Sequence, residues 1–188
     1  MKNLPLLSIA ILSATSGLIF GNARSASAAL LWNWSYSGPG INANGTFTTE
    51  NTPDSDGFYL MTAITETRNG QAIIGLQPTA TSIPGNEPFV VDNLIRPGFP
   101  QLTKDGFGYQ IADGSYVNPF FASFLPTPAY LEVFSAAPFI PGFENFGPED
   151  SELEIGFSAT LVPEPSSVLG LLVLTGLGMA MGKRSLKS

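Results

Sequence analysis

The central part of this chain consists of short runs in which apolar and polar residues alternate, broken by Gly, Pro, Asn-Gly or Asp-Gly. Alternation with a period of two is typical of β-strands, and no stretch keeps the 3.6-residue period of an amphipathic helix. The run at residues 152–161 is the clearest, because Leu153 and Ile155 alternate with Glu152 and Glu154. It predicts an antiparallel strand with one face in water.

Eight or nine strands of this kind are predicted, with most prolines in the connections. The Asn69-Gly70 pair predicts a type I′ hairpin, because both residues tolerate positive φ, and Asp113-Gly114 predicts a second tight turn. The pattern indicates an all-β domain, a single antiparallel β-sandwich of the jelly-roll-like kind. The predicted strands are residues 30–37, 45–50, 58–68, 71–76, 89–95, 106–112, 115–121, 129–134 and 152–161.

The N-terminal segment has the order of parts expected of a secretory signal peptide. Lys2 precedes an apolar stretch at residues 4–20, and the small residues Ala26 and Ala28 follow. We therefore expect a signal helix at residues 1–28, cut by signal peptidase so that Ala29 comes first. The alternative is an uncleaved membrane anchor, which the small-residue site disfavours.

The C-terminal segment joins a Pro-Glu-Pro tripeptide, residues 163–165, to an apolar run at residues 168–181. Two prolines cannot continue a helix or a sheet ladder, so they leave an extended, accessible stretch. The run is 14 residues, about 21 Å as a helix against a hydrocarbon core of about 30 Å. Adding Ser166, Ser167 and Gly182 gives 17 residues, the lower edge of a membrane-spanning helix.

Basic residues after this run favour retention of the tail on the cytoplasmic side of the membrane. They are Lys183, Arg184 and Lys187. The alternative, a buried amphipathic helix, is disfavoured because the run has no polar face.

Together, Val162 to Ser166, the glycine-rich apolar run and the short basic tail resemble the PEP-CTERM sorting signal of exported bacterial proteins. The resemblance implies that an exosortase, an integral-membrane protease, recognises Pro163, Glu164 and Pro165, with Val162 and Ser166 flanking them. It also implies a transient inner-membrane anchor stopped by the basic tail, and delivery to the cell surface or extracellular space together with exopolysaccharide. The predicted domains are residues 1–28, 29–162 and 163–188.

A second resemblance covers the middle of the chain. The segment ITETRNGQAIIGL at residues 64–76, followed by residues 91–94 and 106–109, resembles a β-rich domain that recurs in exported PEP-CTERM proteins. That family usually has glycine where this chain has Glu66. The resemblance implies a fold but no biochemical activity.

Composition excludes several classes of function. Residues 29–162 contain three basic and 14 acidic residues, a net charge of −11, so we predict that the domain binds no nucleic acid. The chain has no Cys and no His, which removes disulfides, Ser-His-Asp and Cys-His catalysis and histidine metal sites.

Acidic clusters raise the question of calcium, whose usual ligands are carboxylates. Asp54 and Asp56 precede a glycine, but the spacing does not fit an EF-hand loop and is more typical of a turn. The second cluster is more typical of a solvated strand edge, although a cation could relieve its repulsion. Its members are Glu149, Asp150, Glu152 and Glu154. No metal site or cofactor is predicted, and calcium remains an alternative.

Acid pairs and aromatic residues leave two further alternatives, a glycoside hydrolase and a sugar-binding module. The aromatic residues alternate with polar ones, which favours core packing over sugar stacking. They are Trp32, Trp34, Tyr36, Tyr109, Tyr116 and Phe120. We predict no catalytic residues and a structural or adhesive surface protein associated with exopolysaccharide. The alternative is a carbohydrate- or calcium-binding module.

Overall fold

A computed structural model describes residues 29–140 and 150–163 of the chain. These residues form ten strands and no helix. The strands are β1 (Leu30–Gly38), β2 (Ile41–Thr49), β3 (Tyr59–Ile64), β4 (Thr67–Arg68), β5 (Gln71–Leu76), β6 (Leu94–Ile95), β7 (Tyr109–Ile111), β8 (Tyr116–Ala122), β9 (Ala129–Ser135) and β10 (Ser151–Leu161).

Eight of these strands close into a β-barrel, in the order β1-β10-β9-β8-β7-β5-β4-β2. Strand β1 closes the ring because it pairs with β10 on one side and with β2 on the other. The predicted sandwich, jelly-roll-like in form, is therefore wrong. A strand with one wet face fits a sandwich and a barrel equally well, and only the long-range pairing of β1 distinguishes them. The predicted signal helix and hydrophobic tail helix lie outside the described residues.

The predicted strand at residues 58–68 is broken into β3 and β4, which both pair with β2. The break lies at Glu66, whose φ of 87° is in the left-handed region. Gly45 on β2 faces this break, and a side chain there would collide with the Thr65 carbonyl oxygen. Beyond β4, Asn69 and Gly70 have φ values of 49° and 78°, as the predicted type I′ hairpin requires.

Aromatic side chains fill the barrel interior. Trp34 stacks on Phe47 with ring centroids 5.1 Å apart, and Phe107 meets Phe47 edge-on at 4.9 Å. The Trp32 indole donates a hydrogen bond of 3.1 Å to the Thr49 hydroxyl. The alternation of β1 therefore places its aromatic residues in the core. Each ring pair there stabilises the fold by about 0.5–1.5 kcal/mol beyond the contribution of the buried area.

A long connection, residues 77–108, which we call the outer connection, packs in part against the outside of the barrel, while its Leu102 and Phe107 belong to the barrel core. Its Ile83 forms a second apolar cluster with Phe120 on β8 and Val133 on β9. Asn93 holds the connection in place, because its Nδ2 donates to the Gln77 carbonyl at 2.8 Å. The predicted strand at residues 89–95 reduces to the short β6, since most of that run belongs to this packed connection.

Candidate functional site

A groove crosses the outer wall of the barrel over β8, β9 and β10. Side chains alternate between the interior and the outer wall along each strand, so cross-strand partners on the outer wall form rows. Asn118, Val133 and Glu152 form one such row, and Phe120 and Leu131 form the next. All five residues line the groove.

Other segments provide the remaining lining of the groove. Two residues follow β8, and the rest belong to the outer connection. These residues are Phe124 and Leu125, and Asn86, Phe89, Val90, Lys104 and Asp105. The groove has a volume of about 400 Å³, within the range of small-molecule binding sites.

Buried hydrogen bonds fix the polar part of the groove. Asn118 is buried, and its Nδ2 donates to the carbonyl oxygens of Phe107 at 3.0 Å and Asp105 at 3.2 Å. Asn86 Nδ2 lies 3.5 Å from Asn118 Oδ1. The Lys104 ammonium is 2.7 Å from the Asp105 carboxylate. These contacts hold amide and carboxylate groups in place before any ligand arrives.

Aromatic rings form the apolar part of the groove. Phe120 and Phe124 stack with centroids 6.5 Å apart and planes 23° from parallel. Phe124 nevertheless leaves 71% of its surface exposed, and Phe89 leaves 48% exposed. Exposed rings clustered in a concave, partly polar site are more informative than single exposed apolar residues.

The barrel interior contains a second polar feature, the buried charge cluster of Arg68, Glu132, Tyr36 and Tyr109. Arg68 contacts Glu132 through two bonds, Nε to Oε2 at 3.0 Å and Nη2 to Oε1 at 2.5 Å. The Tyr36 hydroxyl donates to Glu132 Oε2 and is also hydrogen-bonded to the Tyr109 hydroxyl. The Phe134 ring lies 4.4 Å from the Arg68 Cζ.

Burial changes the pKa values of the groups in this cluster. Burial is the main cause of a raised pKa at Tyr36, with the Tyr109 phenol and the Glu132 carboxylate adding to it. Burial and Glu132 also raise the pKa of Tyr109. Burial alone would lower the pKa of Arg68, but its hydrogen bonds to Glu132 and their opposite charges outweigh that effect and raise it. Both phenols are therefore neutral and the guanidinium is charged at ordinary pH.

The cluster links strands that are far apart in the sequence, since its members lie on β4, β9, β1 and β7. Glu132 is fully buried, so we assign the cluster a structural role in the barrel rather than contact with a substrate. The sequence contained a signal for it, because Glu132 stands between Tyr130 and Phe134 on the apolar face of a strand. A charge in that position needs a buried partner.

Two of the carboxylates considered for calcium, Asp54 and Asp150, accept hydrogen bonds within the protein. Asp54 Oδ1 accepts the backbone N–H groups of Asp56 and Phe58, both at 2.9 Å, which is a turn. Asp150 Oδ1 accepts the Ala136 N–H at 2.8 Å. Glu152 lies in the groove, and Glu149 lies outside the described residues. Within residues 29–140 and 150–163, no three Asp or Glu side chains form a group suited to a metal ion.

The aromatic residues considered for sugar binding divide between two places. Trp32, Trp34, Tyr36 and Tyr109 are buried in the barrel, as core packing predicts. Phe120 instead lies in the outer groove, where the sequence pattern alone did not place it. Tyr116, half-buried, packs against the second apolar cluster on the outer wall.

The groove also brings two acids together, Asp105 and Glu152. A glycosidase needs one carboxyl that keeps its proton near neutral pH, which burial usually provides. Neither acid is buried, and Lys104 pairs with Asp105.

Of the residues predicted for processing, only three lie in the described part of the chain. Ala29 is its first residue, and Val162 and Pro163 are its last. The others lie outside it, namely Ala26, Ala28, Glu164, Pro165, Ser166, Lys183, Arg184 and Lys187. The described part contains no helix that is both long and apolar enough to cross a membrane.

No protein-family model, curated protein or solved structure matches the chain.

Proposed function

We propose that this chain is an exported surface or extracellular-matrix protein, delivered by an N-terminal signal peptide and processed at its PEP-CTERM tail. An exosortase-type membrane protease would cut near Pro163 to Ser166 after a transient stay in the inner membrane. The proposal rests on the two terminal sequence signals and on how the barrel ends.

The junction between barrel and tail is the observation that carries the proposal. β10 pairs with both β1 and β9 and ends at Leu161. One further bond follows, from the Val162 N–H to the Leu31 carbonyl at 2.8 Å, and Pro163 is exposed. The Pro-Glu-Pro motif therefore begins two residues after the end of β10, and the exposure of Pro163 supports access by a protease.

The barrel itself fits a structural or adhesive role. Its interior is packed with aromatic rings and with the buried charge cluster, and its outer surface carries most of a net charge of −11. Closure of the eight-stranded ring removes its open sheet edges and leaves only β3 and β6 outside it, which limits aggregation of copies through strand pairing. A protein of this kind suits long exposure outside the cell.

The test is mass spectrometry of the extracellular protein from the producing bacterium. We expect a C-terminus near Glu164 or Pro165 in the natural chain. The double variant Pro163→Ala/Pro165→Ala should stay uncut and membrane-bound. Pro39→Ala, in the exposed turn between β1 and β2, is the matched control and should be processed normally. Secreted protein that still ends at Ser188 would refute the processing step.

A further inference from the structure

The outer groove combines two features that a barrel wall does not need for its own stability. Phe124 leaves most of its surface in water, although a neighbouring apolar floor is available. Beside it, Asn118 and Asn86 are held in a hydrogen-bonded pair at the polar end. A flat apolar surface next to fixed amide groups is the arrangement that binds an amphipathic ring.

The charges of the groove narrow the class of ligand. Asp105 and Glu152 contribute two carboxylates, and Lys104, the one cation among the described lining residues, is paired with Asp105. The net charge of the lining is negative, so an anionic ligand would be repelled. Carboxylate and amide oxygens accept hydrogen bonds, and they therefore suit a ligand that is rich in hydroxyl groups.

We propose that this groove binds a short segment of a neutral polysaccharide. A pyranose ring has an apolar C–H face that packs on the exposed ring of Phe124, while its hydroxyl groups donate to Glu152 and to the amide oxygens at the polar end. The volume of about 400 Å³ holds a short glycan segment rather than a single atom or ion. Attachment of the protein to a matrix through this groove rests on the proposed export. Binding of the glycan itself does not.

The test uses the full 188-residue chain, purified in a zwitterionic detergent, so it does not depend on cutting of the tail. Isothermal titration is carried out with four hexasaccharides, namely β-1,4-glucose, α-1,4-glucose, β-1,4-mannose and α-1,4-galacturonic acid. We expect at least one neutral hexamer to bind with a dissociation constant below about 1 mM. The anionic hexamer should show no binding.

The chain offers a closely matched pair of variants. Phe124→Ala removes the exposed groove ring and should weaken binding of the neutral hexamer about tenfold. Phe99→Ala is the control, because Phe99 is 74% exposed, close to the 71% of Phe124, but packs against Phe121 and Tyr130 instead. It should leave the affinity unchanged.

Several outcomes would overturn the inference. They are no binding of any neutral hexamer at about 10 mM, tighter binding of the galacturonate hexamer, or equal effects of the two Phe variants. Self-association that Phe124→Ala abolishes, without glycan binding, would make a second copy of the chain the occupant. A chain that is processed but binds no hexamer refutes the groove proposal alone, and a chain that binds but keeps its tail refutes the sorting proposal alone.

Discussion

At the scale of single residues, Glu66 occupies a backbone conformation that favours glycine. Its φ of 87° is strained for a residue with a side chain, and the side chain is exposed. We therefore expect Glu66→Gly to raise the free energy of unfolding by about 1 kcal/mol. Urea unfolding followed by tryptophan fluorescence measures this, since both tryptophans lie in the barrel.

The control for Glu66 is Glu154→Gly, at an exposed position in the middle of β10. Glycine in a strand interior loses more conformational entropy, so this variant should lower the stability by about 0.5–1 kcal/mol. If Glu66→Gly lowers the stability as well, the strain at this position is refuted.

The buried charge cluster leads to a prediction about pairs of substitutions. Glu132→Gln leaves the Arg68 guanidinium buried without its counter-charge, which should cost about 3–5 kcal/mol of stability. The double variant Arg68→Met/Glu132→Met removes both charges, and Tyr36 keeps its bond to Tyr109. It should lose much less than the two single variants Arg68→Met and Glu132→Met together.

Urea unfolding of the single and double variants gives the coupling energy. The exposed pair Lys104 and Asp105 provides the comparison, because Lys104→Met should change the stability by less than about 1 kcal/mol. Additive losses at Arg68 and Glu132 would show that the two charges do not depend on each other.

At the scale of elements, the position of the outer connection depends on the side chain of Asn93. Asn93 is buried with a φ of 55°, and its side chain bonds Gln77, Thr79 and Gly108. Asn93→Ala leaves these groups without a partner and should cost about 2–4 kcal/mol. Amide hydrogen exchange should show lost protection in residues 77–108 first. The control is Asn44→Ala at an exposed position, whose free energy of unfolding should be within about 0.5 kcal/mol of that of the natural chain. Uniform loss of protection over the whole barrel would contradict this local role.

The local sequence pattern predicts those strands whose positions depend on neighbouring residues in the sequence. Strands β1, β5, β8, β9 and β10 were predicted within about two residues, because each has clear alternation and a turn signal at its end. The break at Glu66 was not predicted, since it follows from the approach of Gly45 on another strand. The groove was not predicted either, because its lining comes from segments that only the fold brings together.

At the scale of the whole molecule, the acidic surface should make stability depend on salt. A net charge of −11 over residues 29–162 gives repulsion that is lost on unfolding and screened by ions. Raising the ionic strength from about 0.01 M to about 0.5 M should raise the urea midpoint, with most of the gain in the first 0.15 M or so. The urea midpoint of Lys104→Met should respond more strongly to salt, because loss of this cation makes the net charge more negative. A midpoint that falls with salt would contradict the argument.

Closure of the ring through β1 also determines when the barrel can fold during synthesis of the chain. The first strand needs the last one as its partner, so an incomplete chain leaves β1 and β9 with unpaired edges. Such high contact order delays folding until synthesis has passed Leu161. On the proposed export route, a chain that stays unfolded until β10 is made would still be extended when it passes through a translocation channel.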